Sequence, residues 1–511
     1  MNLYQLFSFS TARYPDKLAL VQDTRKWSYS RLSDEVDKVA SSLHRLGLKQ
    51  GDRVMVLLKN RIETVVVFWA VQKLGAIFAP INLRASTEEI LYCVNDLETR
   101  FIIFEDASKH LILNQKFSER PLLIGLEDSL GDFSYGELVK KGTTNVEPFS
   151  EQDDDIAVIL YTSGTSGKPK GVPRSHKNEY AATIAHIIHS HYHTFEKTLG
   201  IPSLSHTIGL RSLLAMTYLN GAYFPVQSFD TYHTLKLIVE EEISCLFLTP
   251  TMYHEIVNYP QANTFDFSSI HSIVYSGGPM PAKLISKCDE LMNPDFFVNL
   301  YGSTEIFTLS INQDIRNKPG SCGKAGINGR LKLLKLNRLL ESHFDWVTES
   351  GEVGVILVDI SSPEAFKGYW NRPDATKKSI NNGWYFTGDV GYLDKEGELQ
   401  VVGRTDDMII SCGENIYPQE IEKVLIDHPS VKEVVVVGED DERYGQIVTA
   451  FIVTDEQELT PQMLDYFCKM DERLPNYKRP RNYIFVKNIP KNSAGKILRR
   501  ELRDGKYEEV L

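Results

Sequence analysis

The sequence predicts a layered α/β fold with at least partly parallel sheets, followed by a smaller α+β unit at the C-terminal end. Two patterns carry that prediction. Strand-like apolar runs alternate with helix-like amphipathic stretches along most of the chain. Several of those runs end in small residues, and open α/β sheets hold their ligands at the carboxyl ends of their strands. A third feature sets the boundary: the polar turn Gly403-Arg404-Thr405-Asp406-Asp407 separates residues 1–404 from 405–511, and about a hundred residues suffice for an independent domain.

Taken in order, residues 30–46 place Leu32, Val36, Val39, Ala40 and Leu43 on one helical face and stop before Gly47. Residues 53–58 read as a strand, 62–74 as an apolar helix ended by Gly75, and 101–105 as a strand. The apolar run 156–160 leads into a Gly/Ser/Thr-rich loop, and a helix is expected around 178–189. Short runs at 243–248, 272–275 and 296–300 end at Thr249-Pro250, Ser276-Gly277-Gly278-Pro279 and Tyr301-Gly302-Ser303-Thr304-Glu305. Beyond about Gly320 the pattern shifts to shorter strands, with 351–360 and 398–402 as candidates. The terminal unit reads as a helix at 418–427 with Pro418 at its first position, strands at 433–437 and 447–453, a helix at 461–470 and a strand at 483–486.

A chain of 511 residues exceeds one ordinary core, so a large domain and a smaller one are expected. The net charge of −12 argues against nucleic acid or anionic membranes as general partners, while leaving room for a local basic site. The six cysteines are scattered with no CxxC pair, which fits a reducing cytoplasm rather than a disulfide framework. No run approaches the roughly 20 apolar residues of a membrane span, and the first residues make a poor signal peptide. The histidines His186, His189, His191 and His193 raise the question of a metal. No carboxylate or cysteine is read as sharing their spacing, and a solvated helix end explains them as well.

The loop YTSGTSGKPKGV at 161–172 suits phosphate. Glycines permit the backbone turns that aim successive N–H groups at an anion, the hydroxyls add donors and the lysines add charge. It is not a Walker A loop, because Gly164 and Gly167 are too close together and Pro169 discourages an immediate helix. A flexible Gly/Ser turn with incidental lysines is the alternative. Tyr301, Glu305, Asp389 and Lys496 taken singly are equally open to ordinary roles as a core aromatic, a surface acid, a turn residue and a tail charge.

Their order and spacing decide otherwise. The motifs YTSGTSGKPKG, PSLSHTIG, SGGPM, NLYGSTE, GYWNRPDAT, WYFTGD, GRTDDMIISCGENIYPQEIE and PKNSAGKILRR occur in that sequence over essentially the whole chain. Together they resemble the core motifs of the adenylate-forming superfamily, which holds acyl- and aryl-CoA synthetases, peptide-synthetase adenylation domains and beetle luciferases. The resemblance implies a large multi-sheet N-terminal domain and a small mobile C-terminal domain. It also implies two half-reactions: a carboxylate attacks the α-phosphate of ATP, and a thiol then displaces AMP.

By that resemblance Thr162, Ser163, Gly164, Thr165, Ser166, Gly167, Lys168 and Lys170 would hold the β- and γ-phosphates. Tyr301 would stack on adenine with Gly277 and Gly278 allowing close backbone approach, and Gly302 would belong to the same nucleotide site. Thr304 would contact the α-phosphate, Glu305 would ligate Mg²⁺, Asp389 would bind the ribose hydroxyls and Arg404 would donate to the same side. Lys496 would be the adenylation lysine, Asp406 the hinge, and the Gly413 loop would face the thiol's arm.

His206 in His-x-x-Gly resembles the acyl- and aryl-CoA synthetases, and no Phe-Asp-x-Ser segment for an α-amino group follows. The acid pocket would be lined by His206, Thr207, Leu210, Met252, Ser276 and Ile306, mostly neutral groups that suit a fatty or aromatic acid. Tyr444, Tyr477 and Arg479 would receive the CoA nucleotide, although the tyrosines could equally pack on their own domain. The expected activity is thus an AMP-forming acid–CoA ligase using ATP, Mg²⁺ and CoA, with a homodimer left open. The alternatives are a stand-alone enzyme that loads an acyl carrier protein and a nucleotide-binding scaffold without turnover. Cys412, Ala494 and Val355 depart from the common motif residues without removing a proposed catalytic group.

Overall fold

In the computed structural model the described residues are 2–510 without 128–130, 145, 150–151, 163–167, 337–343, 412–413, 457 and 492–496. They form two compact units, one of residues 1–331 with 358–385 and the other of 332–357 with 386–511.

Two sheets build the first unit. One has seven strands, in the order Phe133–Ser134, Leu122–Gly125, Phe101–Phe104, Arg53–Leu57, Ile77–Pro80, Ile156–Thr162 and Lys170–Ser175. All neighbours are parallel except the last pair, an antiparallel hairpin in which Thr162 faces Lys170. Pro173 sits in the outermost strand, the place a sheet tolerates a missing N–H. The second sheet has nine strands, and its middle runs Phe296–Tyr301, Ser272–Tyr275, Cys245–Leu248, Lys197–Gly200, Ala222–Pro225 and Leu18–Gln22, all parallel. The strands are short, near-continuous runs of Val, Ile, Leu and Phe because both faces are covered.

The expected helices are present. Tyr29–Arg45 buries all five of its predicted face residues and is capped by the Ser28 side chain, which accepts from Arg31 N–H. Ile62–Lys73 is buried along its whole length, as an all-round apolar helix must be, and Phe7, Phe68 and Trp69 stack in the surrounding core. His176–His189 begins two residues earlier than predicted because Ser175 and Asn178 form a reciprocal capping box.

In the second unit the strand Gly445–Val453 pairs antiparallel with Glu433–Asp441 and parallel with Asn482–Phe485. Ile421, Val424 and Leu425 of one helix and Leu464 and Cys468 of another close one face of that sheet. The hairpin of Trp384–Leu393 and Leu399–Arg404 belongs to the same unit over its ladder, 389–393 against 399–404. Among the described residues no helix is long and apolar enough to cross a membrane.

Candidate active site

Three parallel strands of the nine-stranded sheet deliver the predicted residues to one edge. Leu248, Tyr275 and Asn299 are in register across neighbouring strands. Thr249, Ser276 to Gly278 and Gly302 to Glu305 therefore emerge at the carboxyl ends, where such sheets bind ligands. Gly277 has φ +90, and a Cβ there would meet Thr249 and Ile208, so the turn passes close to the start of the helix Thr207–Tyr218. Gly278 has open space around it.

His206 caps that helix. Its backbone N–H donates to Ser203 O, and its Nε2 lies 3.2 Å from Asn82 Nδ2. Burial holds the imidazole below its ordinary range, so it is neutral at pH 7. The glycine of His-x-x-Gly has a steric reason: a Cβ at Gly209 would strike the carbonyls of Pro202 and Ser203 at 2.3 Å. The loop before His206 is held by buried Asn60, whose Nδ2 donates to the carbonyls of Gly200, Ile201 and Pro202 and whose Oδ1 accepts from Leu204 N–H. Thr207, Met252 and Ser276 sit around these elements, whereas Leu210 and Ile306 are fully buried in separate core clusters.

Residues from three motifs converge on Glu305. Its carboxylate is buried and Oε1 accepts from Tyr369 OH at 2.6 Å. The Lys170 ammonium sits 4.5 Å over the Tyr369 ring. Burial, followed by the Glu305 charge, pushes the Tyr369 phenol well above its ordinary value, so it stays protonated and donates. The turn itself is tied by Ser303, whose backbone N–H donates to Ile306 O and whose hydroxyl accepts from Ile306 N–H. Gly302 admits no side chain, since a Cβ would lie 1.7 Å from Phe307 O. Tyr301 is half-buried at the strand end, where its carbonyl accepts from Leu309 N–H.

Beneath this turn lies a charged group that sequence reasoning missed. Arg174 Nε and Arg211 Nη2 donate to the two oxygens of Glu179 at 2.7 and 2.8 Å, and all three side chains are fully buried. Arg174 Nη1 also donates to the carbonyls of Thr304, Glu305 and Glu364 at 2.8 to 3.2 Å. The hairpin on either side of residues 163–167 is anchored too: Tyr161 OH donates to Asp96 Oδ2 at 2.6 Å, while Trp370 donates from Nε1 to Asp96 O and from its backbone to Gly171 O. Lys168 lies 5.5 Å over the Tyr92 ring. Ser163, Gly164, Thr165, Ser166 and Gly167 lie outside the described residues.

The predicted histidine cluster resolves differently from a solvated helix end. His186 is fully buried, stacked on Phe247 at 4.7 Å and bonded to Ser190, with its basicity pushed well down by burial and then by Arg211. His189 is also buried and accepts from Ile327 N–H through Nε2. Glu196, three residues after His193, is the carboxylate the spacing argument overlooked.

Asp389, Arg404, Asp406, Tyr444, Tyr477 and Arg479 belong to the second unit. Arg404 Nη1 and Asp389 Oδ1 are 3.1 Å apart across the hairpin, and Gly388, at φ +76, leaves the space that Arg404 Nη2 fills. Asp406 is exposed in the short turn Thr405–Asp407. Tyr444 is covered by Arg481, a residue not singled out from sequence, with the guanidinium 4.3 Å from the ring centre. Tyr477 is half-exposed, and Arg479 pairs with Asp465 at 2.7 Å. Gly413 and Lys496 lie outside the described residues. The chain on either side of Lys496 is pinned by a bridge between Lys491 and Ile497 and by half-buried Arg499, which donates to Glu422 and Val436 O.

Comparison with known proteins agrees with these elements. The model of the AMP-binding enzyme family matches residues 7–370, and that of the AMP-binding enzyme C-terminal domain matches 420–496. A 2-succinylbenzoate–CoA ligase of Bacillus cereus is 32% identical over 496 residues, 96% of each chain. The long-chain-fatty-acid–CoA ligase FadD13 of Mycobacterium tuberculosis is 32% identical over 482 residues, 94% of this chain and 93% of its own. The solved o-succinylbenzoate CoA synthetase of Bacillus subtilis, with its acyl-adenylate intermediate, superposes with a TM-score of 0.86 at 29% identity over 100% of this chain and 99% of its own. The expected multi-sheet α/β fold is borne out, and the chain belongs to the AMP-binding enzyme family, in the acyl- and aryl-CoA ligase branch of the adenylate-forming superfamily.

Proposed function

We propose that this chain joins a fatty or aromatic carboxylic acid to the thiol of CoA in two steps. The acid's oxygen attacks the α-phosphorus of ATP and expels pyrophosphate. The CoA sulfur then attacks the acyl carbon, and AMP leaves with the carboxylate oxygen. The observation that carries this reading is the convergence of Lys170, Tyr369 and Glu305 beside the Thr304 turn at the carboxyl ends of parallel strands.

In this reading Thr162, the 163–167 loop, Lys168 and Lys170 cradle the β- and γ-phosphates, Tyr301 stacks on adenine beside Gly277 and Gly278, and Thr304 meets the α-phosphate. Asp389 accepts from the ribose hydroxyls while Arg404 fixes its orientation. Glu305 fits Mg²⁺ as a buried, acceptor-only oxygen donor with one oxygen already oriented by Tyr369; the ion would supply neutralising charge among the phosphates. His206, half-buried and neutral, keeps the acid's surroundings uncharged, which favours an apolar tail. Lys496 would neutralise charge gathering at the α-phosphate. Residues 405–511 would then turn about Asp406 and bring the Gly413 loop, Tyr444, Tyr477 and Arg479 to CoA. The names of the relatives, one an aromatic acid's ligase and another a long-chain fatty acid's, support both acid classes. A cytoplasmic location accords with the scattered cysteines.

The test is acid-dependent AMP release with ATP, Mg²⁺ and CoA across fatty, aromatic and amino acids, with product masses recorded. Acyl-CoA formed from fatty or aromatic acids is the expected result. Adenylate accumulating without a CoA product would instead make a carrier protein the acceptor, and turnover confined to amino acids would overturn the pocket assignment. A second expectation concerns the orienting phenol. Tyr369→Phe should raise the Mg²⁺ concentration for half-maximal AMP release by roughly 10–100-fold, the usual effect of removing a group that orients a metal ligand. An unchanged Mg²⁺ dependence would separate Tyr369 from the ion.

A further inference from the structure

Two histidines and a buried glutamate meet at the amino ends of the same parallel strands. Glu196 immediately precedes the strand Lys197–Gly200, Ser244 precedes Cys245–Leu248, and His271 precedes Ser272–Tyr275. Because these strands are parallel neighbours, this edge is the one away from Thr249 and Ser276. One ligand atom each from His193, Glu196 and His271 lies within 4.8 Å of the other two. Glu196 Oε1 accepts from His271 Nε2 at 2.7 Å and from His193 backbone N–H at 2.8 Å, and it stands 3.4 Å from His193 Nδ1.

The cluster is held from behind. Glu196 is 4% exposed, and its second oxygen accepts from the Ser244 hydroxyl. Ser244 in turn accepts from Lys197 N–H, and its carbonyl accepts from His271 N–H. His191, at φ +56, stacks on Phe296 with ring centres 3.8 Å apart and planes 7° from parallel, which fixes the turn into His193. The His193 and His271 ring centres lie 5.0 Å apart with their planes tilted by 43°. The His193 side chain is 71% exposed, so one side of the cluster opens to water.

We propose that His193, Glu196 and His271 form a site for a divalent transition metal of borderline softness, with Zn²⁺ as the type ion. Two imidazole nitrogens and one carboxylate oxygen are a donor set that zinc accepts, water completing the remaining positions on the exposed side. Magnesium and calcium prefer all-oxygen surroundings, so the ion of the ATP reaction is not drawn here. Binding needs the His271 Nε2 lone pair, so a protonated ring releases its Nε2 proton to solvent and a neutral ring carries its one proton on Nδ1, which is buried. At the opposite ends of these strands from Thr249 and Ser276, the ion would tie the starts of Lys197–Gly200 and Ser272–Tyr275 together, with Ser244 joining Cys245–Leu248 through Glu196, rather than take part in the chemistry.

Full-length protein freed of metal by chelator dialysis, titrated with Zn²⁺ by calorimetry without ATP, tests this. One equivalent should bind, and His193→Ala and His271→Ala should each weaken it by about 10–100-fold, while His254→Ala, an exposed histidine elsewhere, should not. Co²⁺ should give visible absorption bands in the wild-type protein that His193→Ala loses. His193 is a surface side chain, so its variant keeps the fold, and its Mg²⁺-dependent AMP release should equal wild type. Absence of saturable binding, or wild-type affinity in both histidine variants, would overturn the site. Loss of AMP release in His193→Ala would overturn its structural role.

Discussion

Lys496→Ala should slow acyl-adenylate formation by about 10²–10³-fold, the effect of removing one positioned charge donor from a transition state. Thioester formation from preformed acyl-adenylate and CoA should stay near the wild-type rate. The split follows from where charge changes. In the first step an anionic carboxylate meets a triphosphate, so negative charge gathers at the α-phosphorus and a lysine there acts electrostatically. In the second step the acyl carbon is the electrophile and AMP departs already formed. Measuring pyrophosphate release and thioester formation separately decides the matter, and equal loss of both would remove Lys496 from the first step. A misfolded variant is distinguishable, because it would also lower the denaturant midpoint of the transition that includes the second unit.

The order of short motifs made the family legible, and the periodicity made most elements legible. Runs such as 272–275 and 296–300 have the composition of strands buried on both faces, and they proved to be that. Local pattern also specified the glycine of His-x-x-Gly, although its reason, contact with the Pro202 and Ser203 carbonyls, appears only in three dimensions. What remained hidden were pairs made by folding: Asn60 with the 200–204 loop, Tyr369 with Glu305, Arg211 with Glu179. Each partner alone reads as an ordinary surface polar residue, since burial of a charge is invisible until its counter-charge is placed. His186 shows the converse. Polar letters at a helix end read as solvated, yet that face of the helix rests on Phe247 and Phe307.

Glu179→Gln should destabilise the chain by about 3–5 kcal/mol, because it leaves two fully buried guanidiniums without their counter-charge. The shift is read from the denaturant midpoint of the transition that includes the first unit. Such groups seldom exist for stability, since well-packed apolar replacements are often as stable, so a second role is indicated. Arg174 spends one nitrogen on three carbonyls, two of them from Thr304 and Glu305. The pairing with Glu179 therefore sets the height of the turn that the proposed reaction uses. Arg174→Met should lower kcat for adenylation more than Arg211→Met at matched stability, because only Arg174 touches the turn. Arg211→Met should be the milder change, with Arg174 still paired. If the two arginine variants lose activity in proportion to stability alone, the group is a packing device. If Glu179→Gln unfolds at the wild-type midpoint, the pair does not hold the turn at all.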